Sequence, residues 1–145
     1  MIDFRAKLEA IKDFLKTSYL GYLSPFGIEP PEITTEFLDF DKFKASFMLF
    51  MEHDRITFDG GRYADDCERT ARITCDIFLV FRNAPSADLI QRILDASSAL
   101  CELFRCEKID VAHGISIESV EFFNYVEGRN SLVASKISVE FETEC

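Results

Sequence analysis

The stretch Thr70-Ala71-Arg72-Ile73-Thr74-Cys75-Asp76-Ile77-Phe78-Leu79-Val80-Phe81 decides the fold. Ala71, Ile73, Cys75, Ile77, Leu79 and Phe81 alternate with Thr70, Arg72, Thr74, Asp76, Phe78 and Val80. A period of two sends one set to one face of a strand and the other set to the opposite face. Counted from Cys67, the strand reaches about 15 residues, or roughly 50 Å at ~3.3 Å per residue. That is long for a small domain, so one end is expected to project beyond the core.

Downstream, Asn83-Ala84-Pro85-Ser86 stops the strand. Ser86 is placed to cap a helix, with Asp88 in its first turn favouring the dipole. Leu89/Ile90, Ile93/Leu94, Ala96, Leu100 and Leu103/Phe104 form a wide apolar stripe that predicts a helix ending near Arg105. After the charged link from Cys106 to Gly114, a strand is expected near Ile115 to Tyr125. A last strand carries Val133, Ile137, Val139 and Phe141 on one face and Lys136, Ser138, Glu140 and Glu142 on the other. Glu127-Gly128-Arg129-Asn130 between them reads as a hairpin turn.

Upstream, Asp3 is a fitting N-cap for a helix whose inner face is Phe4, Leu8, Ile11 and Leu15. Gly21 is the expected stop. Residues 21 to 35 carry two Gly and three Pro and read as an irregular connection, with Pro30-Pro31 imposing an extended path. Phe43, Ala45, Phe47, Leu49 and Met51 then alternate with Lys44, Ser46, Met48 and Phe50, a strand that turns apolar on both faces near its end and should be covered on both sides there. Residues 52 to 66 read as a long polar connection centred on Asp59-Gly60-Gly61, of the kind that is usually functional or disordered.

The expected order is α-β-β-α-β-β: a two-layer α+β domain over residues 1–145, with a four-stranded, mostly antiparallel sheet packed on two helices. The chain has 145 residues, a length that suits one core. Its formal charge of −10 argues against nucleic-acid binding as the main task, because phosphate affinity comes from clustered Lys and Arg. The longest apolar runs fall far short of the ~20 residues of a membrane helix. The N-terminus Met1-Ile2-Asp3-Phe4-Arg5 has neither an apolar signal core nor a small-residue cleavage site, so the chain is expected to start there, in a cytosol. Cys67, Cys75, Cys101, Cys106 and Cys145 make an odd count without the two-residue spacing of a zinc or redox motif, and they read as small hydrophobes in a reducing compartment.

No constellation assembles into an active site, and the expectation is a chain without catalytic residues, cofactor or resident metal. Gly60-Gly61 lacks the Lys-Ser/Thr that follows in a phosphate loop and reads as a hairpin tip. His53-Asp54 with Asp65-Asp66 would suit a hard divalent cation only if the loop folded back, and nothing in the spacing fixes that; a solvated loop is preferred. His113 reads as a turn histidine, and Glu118 and Glu121 as solvent-facing. Arg55, Phe58, Arg62 and Tyr63 are residue types common at interfaces and are the candidate contact residues, although Phe58 and Tyr63 could equally pack under their own loop.

From Ala71 to the C-terminus the chain resembles the tail-terminator (tail-completion) proteins of long-tailed bacteriophages. The likeness lies in the long strand followed at once by Pro85-Ser86 and an amphipathic helix, and in the terminal hairpin ending Ser-Lys-Ile-Ser-Val-Glu-Phe-Glu-Thr-Glu. The opening helix, first strand, polar excursion and overall length extend it over most of the chain. The resemblance implies a homo-oligomeric ring, usually a hexamer, that sits on the last ring of tail-tube protein. It would halt polymerisation and present a surface to the head–tail connector protein in the virion. Such a ring needs two different patches per subunit, and the excursion at 52–66 could supply one. An acidic wall would let DNA pass without sticking. Other phage neck or minor tail proteins of this architecture, or a small cytoplasmic ligand-binding α+β domain, are the alternatives.

Overall fold

The computed structural model describes residues 3–34, 46–59, 70–82, 84, 86–107, 114–127 and 130–144. Helix α1 spans Phe4–Leu23. The Ala6 amide donates to Asp3 Oδ1 at 3.1 Å, so Asp3 caps the helix as expected. Gly21 does not end it. A glycine inside a helix costs ~1 kcal/mol, and the next turn more than offsets this by burying Leu23 completely. The chain leaves through a 3₁₀ turn, Ser24–Phe26, and Gly27 is the residue that adopts the left-handed conformation (φ 69°).

The connection after it is not wholly irregular. Glu32–Thr34 forms a short strand, β1, that pairs in parallel with the next strand, β2 (Phe47–Asp59). Pro30-Pro31 imposes the extended path but carries no alternation, so a three-residue strand has no sequence signature of its own. Strand β3 is Thr70–Arg82, α2 is Ser86–Cys106, β4 is Gly114–Glu127 and β5 is Asn130–Glu144. Among the described residues the sheet therefore has five strands, not four, in the order β1-β2-β3-β5-β4. It is mixed: β1–β2 is parallel and the remaining pairs are antiparallel. The chain is α+β, with two helices and a mixed sheet.

The decisive strand carries the core. Ile73, Cys75, Ile77, Leu79 and Phe81 are buried on one face, with Leu49 and Met51 of β2 and Ile137, Val139 and Phe141 of β5 beside them. Both helices cover this face. The Tyr19 hydroxyl donates to the Ala96 carbonyl at 2.7 Å and ties α1 to α2. Tyr19 meets Phe47 edge-on at 6.4 Å, and Phe104 of α2 meets Phe141 the same way at 5.8 Å. α1 lies toward the β1–β2 side, and α2 lies over β3, β5 and β4.

The opposite face is also buried at one end. Met48, Phe50, Val80 and Ala134 form a second cluster, in which Phe50 and Phe78 stack at 4.7 Å. The expectation that the end of the first strand is covered on both sides is met.

The expected connection from residue 52 is in fact strand as far as Asp59. A β-bulge explains the miss. His53 pairs with Cys75 and Arg55 pairs with Thr74, so Asp54 is an extra residue and the alternation shifts by one. Ile56 opposite Ile73 resumes the inner face. Strand β4 does the same: Ile117 pairs with Val139 and Ser119 with Ser138, leaving Glu118 as the extra residue. Because Cys75 pairs with Val139, both bulges flank one transverse row, His53–Cys75–Val139–Ile117. Bulges bend a strand and increase its twist, so two at one level bend the long sheet together.

Candidate assembly interface

Two of the four predicted contact residues lie on one strand. Arg55 is exposed on β2 immediately after the bulge. Phe58 pairs with Ala71 near the end of the same strand. Arg62 and Tyr63 lie outside the described residues, as do Asp65-Asp66 of the possible cation set and His113. Arg55 and Phe58 thus sit on the sheet itself and not on a loop.

The face away from the helices divides at the bulges. On one side lies the apolar cluster of Met48, Phe50, Phe78 and Val80. On the other, register places Arg72 opposite Glu142, Thr74 opposite Glu140 and Asp76 opposite Ser138. The Ser138 hydroxyl donates to Asp76 Oδ1 at 2.7 Å. Arg72 lies 3.7 Å from Glu140, and Lys136 lies 3.6 Å from Glu121. All four groups of these ion pairs are partly solvated, so each pair contributes roughly 0–1 kcal/mol and weakens with salt.

The edges of the sheet differ. At one side, β1 pairs with only Met48–Phe50. At the other, β4 runs 14 residues and pairs, among the described residues, only with β5. A long edge is a template for another chain. Between β4 and α2 runs a groove of about 610 Å³, lined by Ser98, Cys101, Phe104, Ile115 and Ile117, with Glu102 and Arg105 at its rim. Leu94 belongs to the same helical stripe as Ser98, Cys101 and Arg105, at steps of four, three and four. Phe122 of β4 pairs with Ser135, whose hydroxyl meets Ser97 of α2. Phe122 is 49% exposed and Leu94 48% exposed, and the groove itself mixes apolar Phe104, Ile115 and Ile117 with polar Ser98, Ser116, Glu102 and Arg105.

The titratable groups here are quiet. The Arg105 guanidinium donates to Glu102 Oε1 at 2.9 Å and the Cys106 thiol donates to the same oxygen at 3.2 Å. The Arg105 bond, then the Cys106 bond, lower the Glu102 carboxyl, while the bond to Glu102 raises the Cys106 thiol. Burial raises Cys101, and it pushes the Cys75 thiol up to about 12, with Asp76 adding to the shift. Buried and raised in this way, the Cys75 thiol stays protonated. Among the described residues no group of three or more His, Cys, Asp or Glu could hold a metal ion, and no helix is long and apolar enough to cross a membrane.

Sequence reading missed this groove. Leu94 and Phe104 belong to one wide apolar stripe, and nothing in the stripe says which part the sheet leaves uncovered. The available signal was the adjacent pair Phe122-Phe123, which puts an aromatic on each face of a strand. No family model matches the chain, and no curated protein matches it.

Proposed function

We propose that this chain is a structural subunit of a closed ring that caps the tail tube of a long-tailed bacteriophage. The ring ends tube polymerisation and presents the surface to which the head connector binds. It assembles in the host cytoplasm and ends in the neck of the virion, and a hexamer is the expected size. The observation that carries this reading is the long β4 edge with the groove beside it and the exposed Phe122. The bulge and the exposed Glu118 and Glu121 partly blunt this edge, so the exposed Phe122 and Leu94 are what offer apolar surface of the kind self-associating proteins use.

Two further features support it. The succession of helix, two long strands, helix and two long strands, with β1 as an addition, is the two-layer order that the family resemblance implies. The open sheet face carries Asp76, Glu121, Glu140 and Glu142 against Arg72 and Lys136, an acidic excess suited to a wall along which DNA slides. Arg55, at the bulged end of β2, is then a contact to the tube below.

Light scattering with and without tail-tube subunits tests the reading. It expects a concentration-dependent oligomer or co-assembly; a monomer at high concentration that does not bind tube protein overturns it. Electron microscopy of a phage lacking the gene separates terminator from joining roles. Overlong tails mean lost termination, and normal free tails beside full heads mean lost joining. The groove also favours one alternative, a small ligand-binding domain. A several-degree thermal shift with one metabolite, from a protein that stays monomeric, selects that alternative instead.

A further inference from the structure

We propose that residues 35–45, which join β1 to β2, lie across the outer face of the sheet and cover its apolar end. The inference is independent of the ring reading.

The apolar cluster on that face is too deeply buried for a bare sheet. Met48 is 0% exposed, Val80 1% and Phe50 5%. The described side chains packed with them, Phe78, Phe123 and Leu132, stand on β3, β4 and β5. Side chains on one face of a sheet stand side by side with their tips outward. They do not bury one another completely, and a second layer does. Both helices lie on the other face.

Topology assigns the layer. β1 and β2 are parallel, and so are β3 and β4, each being antiparallel to β5. In the order β1-β2-β3-β5-β4 the step from β1 to β2 and the step from β3 to β4 run the same way across the sheet. The strands they join point in opposite directions, because β2 and β3 are antiparallel. Crossovers between parallel strands share one hand, the right. Two crossovers of one hand that step the same way on strands of opposite direction use opposite faces. The β3-to-β4 crossover contains α2, which packs on the inner face. The β1-to-β2 crossover therefore takes the outer face, where the cluster stands.

Reach and chemistry agree. Thr34 pairs with Phe50, so the chain returns from that level to Ser46, ~13 Å back along the strand. The eleven residues from 35 to 45 span up to roughly 36 Å. That is enough to swing over β3, ~10 Å from β1, and come back to β2. Phe37, Leu38, Phe40 and Phe43 supply large apolar side chains, interleaved with charged residues that suit the solvent side. Residues 60–69 and 108–113 adjoin Thr70 and Gly114 at the far end of the sheet, at least ~25 Å from Val80. Residues 83, 85, 128 and 129 are too few to form a layer. The polar half of the outer face, beyond the bulges, is the part left for a partner.

The chain has no tryptophan, so a single introduced one reports its own surroundings. Phe37→Trp, Leu38→Trp, Phe40→Trp and Phe43→Trp are made one at a time. Emission and iodide quenching are read across a dilution series that sedimentation follows down to the monomer, with and without tail-tube protein. At least two of the four are expected to emit blue-shifted and resist iodide in the monomer, unchanged by dilution or by tube protein. Phe37→Ser combined with Phe40→Ser should lower the melting temperature by several degrees and bind a hydrophobic dye that the wild type does not. Four tryptophans that all emit and quench as if in water overturn the proposal, as does an unchanged melt of the double serine variant. Shielding that is lost on dilution assigns the cover to a second copy, and shielding that appears only with tube protein assigns it to that partner; either result overturns the proposal.

Discussion

Ser97 of α2 and Ser135 of β5 bring their hydroxyl oxygens to 2.8 Å in the buried seam between helix and sheet. The Ser97 oxygen also lies 2.6 Å from the Ile93 carbonyl, to which it donates its one hydrogen. Ser135 is therefore the donor of the pair. Ser135→Ala leaves Ser97 satisfied and should cost about 1 kcal/mol, whereas Ser97→Ala strands the Ser135 hydroxyl and should cost ~1–3 kcal/mol. The double substitution should cost less than the sum. Chemical denaturation of the three variants measures this, and equal single costs with strict additivity would contradict the assigned direction.

Cys75 sets a pH dependence. Its thiol is pushed up to about 12 in the folded protein from an ordinary value of 9.0. The folded state then holds a proton that the unfolded state releases. The resulting stabilisation is complete below pH 9 and is lost as pH rises from 9 toward 12, by as much as ~4 kcal/mol. Cys75→Ala should flatten the fall in stability across that window relative to wild type. Parallel stability–pH curves for the two proteins would count against the burial of this thiol.

The bulges predict an unusual tolerance. Deleting Asp54 removes the extra residue of β2 and leaves the inward and outward sets in phase. Deleting Asp76 from the middle of β3, which carries no extra residue of its own, throws half the core strand onto the wrong face. The Asp54 deletion should melt cooperatively with a modest loss, and the Asp76 deletion should not fold. Circular dichroism melts decide between them.

Ile77 is wholly buried between Met51 and Ile137. Ile77→Asp places an unpaired carboxyl there and costs several kcal/mol, enough to abolish folding of a marginal domain. A soluble, cooperatively melting Ile77→Asp protein would mean that the faces of β3 are reversed.

Arg55 is exposed and lies away from the groove. Arg55→Glu should leave the melting temperature and self-association unchanged and weaken capture of tail-tube protein several-fold. Arg62→Glu should weaken assembly and leave folding intact. Loss of folding in either variant would show the residue to be structural.

Where the local pattern ran unbroken, the sequence was legible. The strict alternation from Ala71 to Phe81 gave both the central strand and its core face, and Asp3 gave the first helix cap. Where one extra residue entered, as at Asp54, the same physics became unreadable, because a bulge turns a period of two into apparent noise. Gly21 misled for another reason: its local preference is weaker than the burial of Leu23 two residues later. The contact residues were partly misplaced because Arg55 and Phe58 read as loop once the strand was lost.

By itself, the sequence determined that there are two helices and four long strands, and which face of each seeks the interior where the alternation is unbroken, since those follow from spacing and side-chain chemistry along the chain. Only the tertiary structure decided that β4 stands at an edge beside a groove, that the two bulges share one row, and that β1 joins in parallel. Those are relations between segments far apart in the chain, set by which surfaces remain uncovered after the core has closed, and no local pattern encodes them.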